Sequence, residues 1–237
     1  MQIISYPTVP YDQAYTLQKQ LVRRRQIDAI QDTVLMLEHP PTYTMGADRK
    51  WDHLLYSPAV LEEQGFKIFS CDRGGDITYH GPGQLVVYPI IHLRQAGLTP
   101  IAFVRRLEQV VINLLQHYGL EGSRKKGLPG VWLDDAKICA LGIGISQRVT
   151  YHGLALNVHP NLRHFANIVP CGLTQFGVTS ISREMDGEVQ LSEVKSKFIS
   201  AWEEVFQVPC EVVKKTMMTG GTEIGKNAGQ TTYAVQR

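Results

Sequence analysis

Cys171 stands between Pro170 and Gly172 in the run Asn167-Ile168-Val169-Pro170-Cys171-Gly172-Leu173, outside any apolar periodicity. A thiol on a stiff loop is placed as a nucleophile would be, because loops held by a rigid scaffold carry reactive groups. An isolated thiol is as readily an inert one. Cys71, Cys139 and Cys210 lie in apolar, strand-like runs and read as small buried hydrophobes. No two of the four cysteines form a C-x-x-C pair, so free thiols in a reducing compartment are expected.

A nucleophilic cysteine needs a group that favours its thiolate. His80, His152 and His164 are available for this. Lys137 is another candidate, at the head of the apolar segment Lys137-Ile138-Cys139-Ala140-Leu141-Gly142-Ile143-Gly144-Ile145. A lysine at a strand end is ordinarily just solvated. Strand alternation would set Lys137 and Cys139 on one face. Cys139 is then a second candidate nucleophile, ranked below Cys171 because an apolar strand raises a thiol's pKa.

The glycine-rich stretch Arg73-Gly74-Gly75-Asp76-Ile77-Thr78-Tyr79-His80-Gly81-Pro82-Gly83-Gln84 runs into the apolar segment Leu85 to Ile91. Glycine permits positive φ and close approach to the backbone. Arg73, Thr78, His80 and Gln84 interleave hydrogen-bonding side chains with those glycines. Together they predict a backbone-lined pocket at the mouth of a strand; the plainer alternative is a tight surface turn. Two other patterns fail. Gly220-x4-Gly225-Lys226 imitates a phosphate-binding loop, but Asn227 follows where Ser or Thr should meet Mg²⁺, and no strand precedes it. His152, His159, His164 and Cys171 match no zinc spacing, so no metal is expected.

Elements must position these groups. Apolar residues at helical spacing over 10–25 predict an amphipathic helix. Thr33 to Leu37 is expected as a buried strand, with Thr42 to Met45 continuing its sheet after Pro40-Pro41. Ser57-Pro58 opens a helix that Gly65 closes, and Thr99-Pro100 opens the clearest one, ended by Gly119. Phe66–Cys71 and Leu85–Leu93 read as strands entering and leaving the glycine stretch. Gly130–Leu133, Lys137–Ser146 and Val149–Val158 read as strands, with Asp134-Asp135 as a turn. The stretch 159–179 reads as loop, Val194 to Val205 as a last helix, and Val208 to Val213 as a final strand. The tail 219–237 offers little apolar surface and is expected to be flexible, leaving 1–218 as one catalytic domain.

The 237 residues are 43% hydrophobic, enough for a substantial core. A formal charge of +2 is too small to argue for nucleic acid. The basic runs Arg23-Arg24-Arg25, Arg124-Lys125-Lys126 and Lys214-Lys215 are read as solvated faces, each also able to meet an acidic protein. No apolar run approaches the ~20 residues of a membrane span. The first residues lack the pattern of a secretory signal, so a cytoplasmic location is expected.

Three blocks of the sequence resemble the lipoyl(octanoyl) transferases. The first is Arg73 to Gln84 with Tyr88-Pro89. The second is Gly130-Val131-Trp132, Lys137, Ala140-Leu141-Gly142 and His152-Gly153-Leu154-Ala155-Leu156-Asn157. The third is Phe165 through Cys171-Gly172, with Val178-Thr179-Ser180. The resemblance covers roughly residues 1–209, far more than a lone short motif. It implies an α+β fold shared with biotin and lipoate protein ligases: a mixed, largely antiparallel sheet covered by helices. It implies transfer of an octanoyl group from acyl carrier protein to a lysine of lipoyl domains, in 2-oxo acid dehydrogenases and the glycine cleavage H protein, without a cofactor. Cys171 is the implied nucleophile, and Lys137 the residue implied to lower its pKa. Arg73 to His80, Ala140 to Gly142 and Gly153 to Ala155 would make the acyl site. Cys139 departs from the family pattern, where a small inert residue is expected, and the tail has no match.

The chemistry is consistent with that implication. A thioester is already an activated acyl donor; a thiolate attacks it and a lysine amine then attacks the acyl-enzyme. Each step builds an oxyanion that needs donors nearby. Burying about six methylenes of an octanoyl chain is worth roughly 5 kcal/mol. The alternatives are an ATP-dependent lipoate or biotin ligase on the same fold, against which Cys171 and the run His80-Gly81-Pro82-Gly83-Gln84 speak, and a catalytically dead binding module, which would lack Cys171 or Lys137.

Overall fold

The computed structural model describes residues 1–48, 51–169 and 176–216. In chain order the elements are β1 (Gln2–Thr8), α1 (Tyr11–Gln26), β2 (Thr33–Glu38), β3 (Thr42–Met45), α2 (Pro58–Glu63), β4 (Lys67–Ser70), β5 (Ile77–His80), β6 (Gln84–Ile90), α3 (Pro100–Gln116), β7 (Ser123–Lys125), β8 (Leu128–Leu133), β9 (Ala136–Ser146), β10 (Val149–Asn157), β11 (Gly177–Val178), α4 (Ile181–Glu184), α5 (Leu191–Phe206) and β12 (Glu211–Lys214). Short 3₁₀ turns lie at Trp51–His53 and Leu162–Asn167.

The large sheet runs β12-β1-β2-β6-β10-β9-β8-β7, with β11 beside the start of β9; β4-β3-β5 form a separate small sheet. From β2 to β7 the neighbours are antiparallel, while β12, β1 and β2 run parallel. The sheet is therefore mixed and largely antiparallel, as expected. Alternation along the strands builds two cores. Val34, Met36, Leu85 and Val87 face α3 and α5, whereas Leu35, Leu37, Val86 and Tyr88 face α1. A third cluster, with Tyr43, Ile77, Tyr79 and Phe165, fills the space at the small sheet.

The helix signals hold. Ser57 Oγ accepts from Val60 N, and Thr99 Oγ1 accepts from Ala102 N, each with proline at the next position. Asp134 turns the β8–β9 hairpin with φ +46°. Other expectations are corrected. Thr42–Met45 does not extend the main sheet; it leaves after Pro40-Pro41 and pairs with β4 and β5. Four strands went unread, β1, β5, β7 and β11, as did the short helix α4. The stretch 159–179 carries a 3₁₀ turn and β11 as well as loop. Arg25 is no solvated charge: it is buried, and its guanidinium donates to Asp32 at 2.6 Å and to Asp28. Among the described residues no helix is long and apolar enough to cross a membrane. The proposed tail, 219–237, lies outside the described residues.

Candidate functional site

An open cleft lies against the large sheet. Lys137, Ala140, Ala155, Asn157 and Gln84 line it from β9, β10 and β6, and Thr78 from β5. Trp132, Phe165 and the segment Phe176 to Val178 complete the wall. Its lining, largely apolar with a few polar groups, has the character of a small-ligand site.

Lys137 enters the cleft because β9 is irregular. Opposite β8, Val131 pairs with Cys139 and Trp132 with Lys137, so Ile138 is an extra residue in the register. A bulge of this kind re-aims the side chains on either side of it. Ile138 and Cys139 both sink into the core between the sheet and α3, and Lys137 and Ala140 both reach the cleft. This corrects the expectation from strict alternation that Lys137 and Cys139 share a face. The ammonium of Lys137 lies 4.7 Å from the Trp132 ring centroid and 3.4 Å from Pro129 O.

β11 runs parallel to the head of β9, with Gly177 opposite Ala136 and Val178 opposite Lys137. Thr179 N donates to Lys137 O at 3.1 Å. Cys171 itself lies outside the described residues. The chain enters the stretch that contains it at Val169, whose N–H donates to His53 O at 2.8 Å, and leaves it at Phe176, in the cleft wall beside Lys137.

The three blocks assigned to the acyl site meet. Ala155 pairs with Ala140, Leu154 with Leu141 and Gly153 with Gly142 across β10 and β9. The alanines line the cleft, while Leu141 and Leu154 pack into the core on the other face. Gly74 N donates to Ile143 O at 3.1 Å, and a Cβ on Gly142 would lie 2.7 Å from Gly74 O. Glycine at 142 therefore lets the Arg73–Gly75 loop lie on the strand. Arg73 folds back, its Nη2 donating to Thr44 O at 2.6 Å and to Thr44 Oγ1 at 3.0 Å. Asp76 is buried and bonds His53; Ile77 fills the third core; Tyr79 OH meets His164 Nδ1 at 2.7 Å.

The histidines weighed as thiolate partners are engaged elsewhere. His80 is buried, its Nδ1 bonded to Gln84 Oε1 at 2.8 Å and its Nε2 to Thr44 Oγ1 at 3.3 Å. Burial, reinforced by neighbouring His39, pushes His80 far toward the neutral form. His152 is lowered to about 4, chiefly by burial, although Asp72 opposes the shift. Asp72 gathers His152 Nε2 at 2.9 Å, Tyr151 OH at 2.8 Å, Lys19 Nζ at 2.8 Å and Tyr15 OH at 3.0 Å. Burial alone would raise its carboxyl, but these four donors outweigh it and hold it well below the usual carboxylate range. The cluster anchors α1 and β10 to the residue just before Arg73. Burial also pushes the Cys139 thiol far up, which leaves it protonated and inert; Cys210 is raised to about 11 for the same reason.

Sequence reasoning placed Gln84 in the glycine-lined pocket but did not assign Trp132, Asn157, Phe165 or Phe176 to the site, although all but Phe176 belong to the blocks that carried the resemblance. Gln84 Nε2 donates to Asn157 Oδ1 at 2.9 Å, and Asn157 Nδ2 to Thr179 O at 2.9 Å. This buried chain links His80 to the segment beside Lys137. Two polar residues in apolar strands were its signal, since buried amides require partners.

Residues 10–203 match the model of the lipoyl protein ligase A/B catalytic domain. An octanoyltransferase of Chloroflexus aurantiacus is 48% identical over 201 residues, covering 84% of this chain and 90% of that protein. Among solved structures, the bipartite lipoate protein ligase of Thermoplasma acidophilum superposes with a TM-score of 0.65 at 14% identity, covering 93% of this chain and 88% of its own. The biotin protein ligase of Aquifex aeolicus, in complex with biotin and ATP, does so with a TM-score of 0.54 at 14% identity, covering 87% and 70%. The two ligases share the fold; the sequence match spans most of the chain, and the protein belongs to the lipoyl protein ligase A/B catalytic domain family.

Proposed function

We propose that this protein is an octanoyltransferase that moves an octanoyl group from acyl carrier protein to a lysine of lipoyl domains, through a thioester on Cys171. The observation that carries the reading is the convergence on one cleft of Lys137, the Ala140–Ala155 pair and the chain returning from the Cys171 stretch. In the first step the Cys171 thiolate attacks the donor thioester and the carrier leaves as a thiol. In the second, the acceptor amine attacks the acyl-cysteine, an amide forms and the thiolate returns. Lys137 stabilises the thiolate by its charge, gives a proton to the departing carrier thiol, and takes one from the incoming amine. The acyl chain lies along the small side chains of Ala140 and Ala155.

Residues 1–218 form the catalytic domain and 219–237 a tail outside the site, and the enzyme acts in the cytoplasm. The acceptors are the lipoyl domains of 2-oxo acid dehydrogenases and the glycine cleavage H protein. The test is incubation of the protein with octanoyl-acyl carrier protein and an apo lipoyl domain, without ATP, with the products weighed by mass spectrometry. Octanoylated lipoyl domain is expected. A product that forms only with free octanoate and ATP would instead make the protein a ligase.

A further inference from the structure

Glu108 lies on α3 and is 1% exposed, although it carries a carboxylate. Its Oε2 accepts from Arg105 Nη1 at 2.8 Å and Arg124 Nε at 3.0 Å. Its Oε1 accepts from Gly130 N at 3.2 Å. The peptide unit that supplies this N–H is the same one whose carbonyl, Pro129 O, faces the Lys137 ammonium at 3.4 Å. One planar group thus has a carboxylate on its N–H side and an ammonium on its C=O side. Planarity ties the two directions together: an N–H fixed on Glu108 fixes the carbonyl on Lys137. Gly130 holds this peptide with φ +135°, a conformation that side chains resist. A Cβ there would lie 2.6 Å from Cys139 O and 3.4 Å from Lys137 Cε, so this backbone is pressed against the lysine stem. Nothing in the reaction proposed above uses Glu108, and burying a charge is costly unless it is paired and put to use.

We infer that Glu108 is a positioning residue for Lys137, acting through the Pro129–Gly130 peptide: its charge orients and polarises that peptide so that the carbonyl holds the ammonium in the cleft. The inference rests on the reading of Lys137 as the thiolate's partner only for its effect on transfer, not for its effect on Lys137 itself. Besides Cys171, the proposed partner, the titratable or charged groups near Lys137 among the described residues include Lys125, which shares the Trp132 ring, Asp135, which pairs with Lys125, and the buried Cys139. All of these are unchanged in the variants below.

Glu108→Gln keeps the shape and an acceptor but removes the charge. Arg105→Met removes one partner of Glu108 and leaves its contact with Gly130. The readouts are the ¹³Cε titration of Lys137 by NMR and the steady-state constants for octanoyl transfer. Glu108→Gln should shift the Lys137 midpoint downward and lower kcat by about tenfold, the scale of one charge-assisted hydrogen bond, with KM for the donor little changed. Arg105→Met should lose thermal stability to a similar extent while leaving the Lys137 midpoint in place. An unmoved Lys137 midpoint in folded Glu108→Gln, or an equal shift in Arg105→Met, overturns the inference and makes Glu108 a structural ion pair. If the midpoint moves but transfer does not, Glu108 still positions Lys137, and the assignment of Lys137 to the thiolate is what fails.

Discussion

In the proposed reaction Lys137 and Cys171 carry the chemistry, and their relation can be measured without turnover. Each pKa unit by which the ammonium lowers the thiol is about 1.36 kcal/mol of preference for the thiolate. Lys137→Met keeps the stem against Trp132 and removes the charge. In a background with Cys71, Cys139 and Cys210 replaced, the alkylation rate of Cys171 against pH should move to higher pH in Lys137→Met, and octanoyl transfer should collapse. Coincident titration curves would reject Lys137 as the partner. His80 and His152 would make poor substitutes, since both are buried toward neutrality and bonded elsewhere. The acyl-enzyme is tested by mixing the protein with octanoyl-acyl carrier protein alone and mapping the adduct by peptide mass. It should sit on Cys171 and be nearly absent in Cys171→Ser, because a hydroxyl is far less ionised. An adduct on Cys139 would contradict both its burial and its raised pKa.

At the scale of elements, the site depends on close backbone approach between β9, β10 and the loop before β5. Gly142→Ala puts a methyl group 2.7 Å from Gly74 O, which an exposed loop can relieve by moving. It should lower kcat/KM about tenfold or more with only a small loss of stability. Gly153→Ala aims its methyl at Val87 O, 2.1 Å away inside the sheet, where nothing can yield. It should cost about 1–3 kcal/mol in urea unfolding. If the two variants behave alike, the loop is not the movable partner. Helices α1, α2, α3 and α5, strand β2 and the β8–β9–β10 meander were legible in the sequence because caps, apolar spacing and the Asp134 turn agree with their tertiary roles. β5 was hidden by the glycines around it, and β7 by Arg124 and Lys125, which look like a basic patch. β1 was interrupted by Pro7 and offered no clean alternation. The bulge at Ile138 could not be read either, because Ile138, Cys139 and Ala140 are all apolar and any register satisfies the pattern. The site blocks were legible through their resemblance to a family; periodicity alone did not bring Arg73, Gly142 and Gly153 together.

At the scale of the whole molecule, buried histidines make stability depend on pH. His39 is fully buried, its Nδ1 donating to Val9 O at 2.6 Å and its Nε2 accepting from Tyr88 OH at 2.7 Å. Burial lowers it to about 4, as it does His152. Both titrate near the ordinary 6.5 when the chain unfolds. Between those values the unfolded chain binds more protons than the folded one, so stability is full above about pH 6.5 and is lost as pH falls toward about 4. Each histidine contributes up to about 1.4 kcal/mol per pH unit inside that window. His80, displaced in the same direction, adds to the slope. Asp72, held below the usual carboxylate range, loses its contribution only at still lower pH, so it does not blur the window. The measurement is urea unfolding at pH 8, 6.5, 5.5 and 4.5, for the natural sequence and for His39→Gln. The variant should be less stable at pH 8, because two buried hydrogen bonds are disturbed. Its stability should fall less steeply below pH 6.5, so that the gap between the two proteins narrows as pH drops. A gap that stays constant from pH 8 to 4.5 would mean that His39 takes up no proton on unfolding, and the acid sensitivity of the fold would have to lie in other groups.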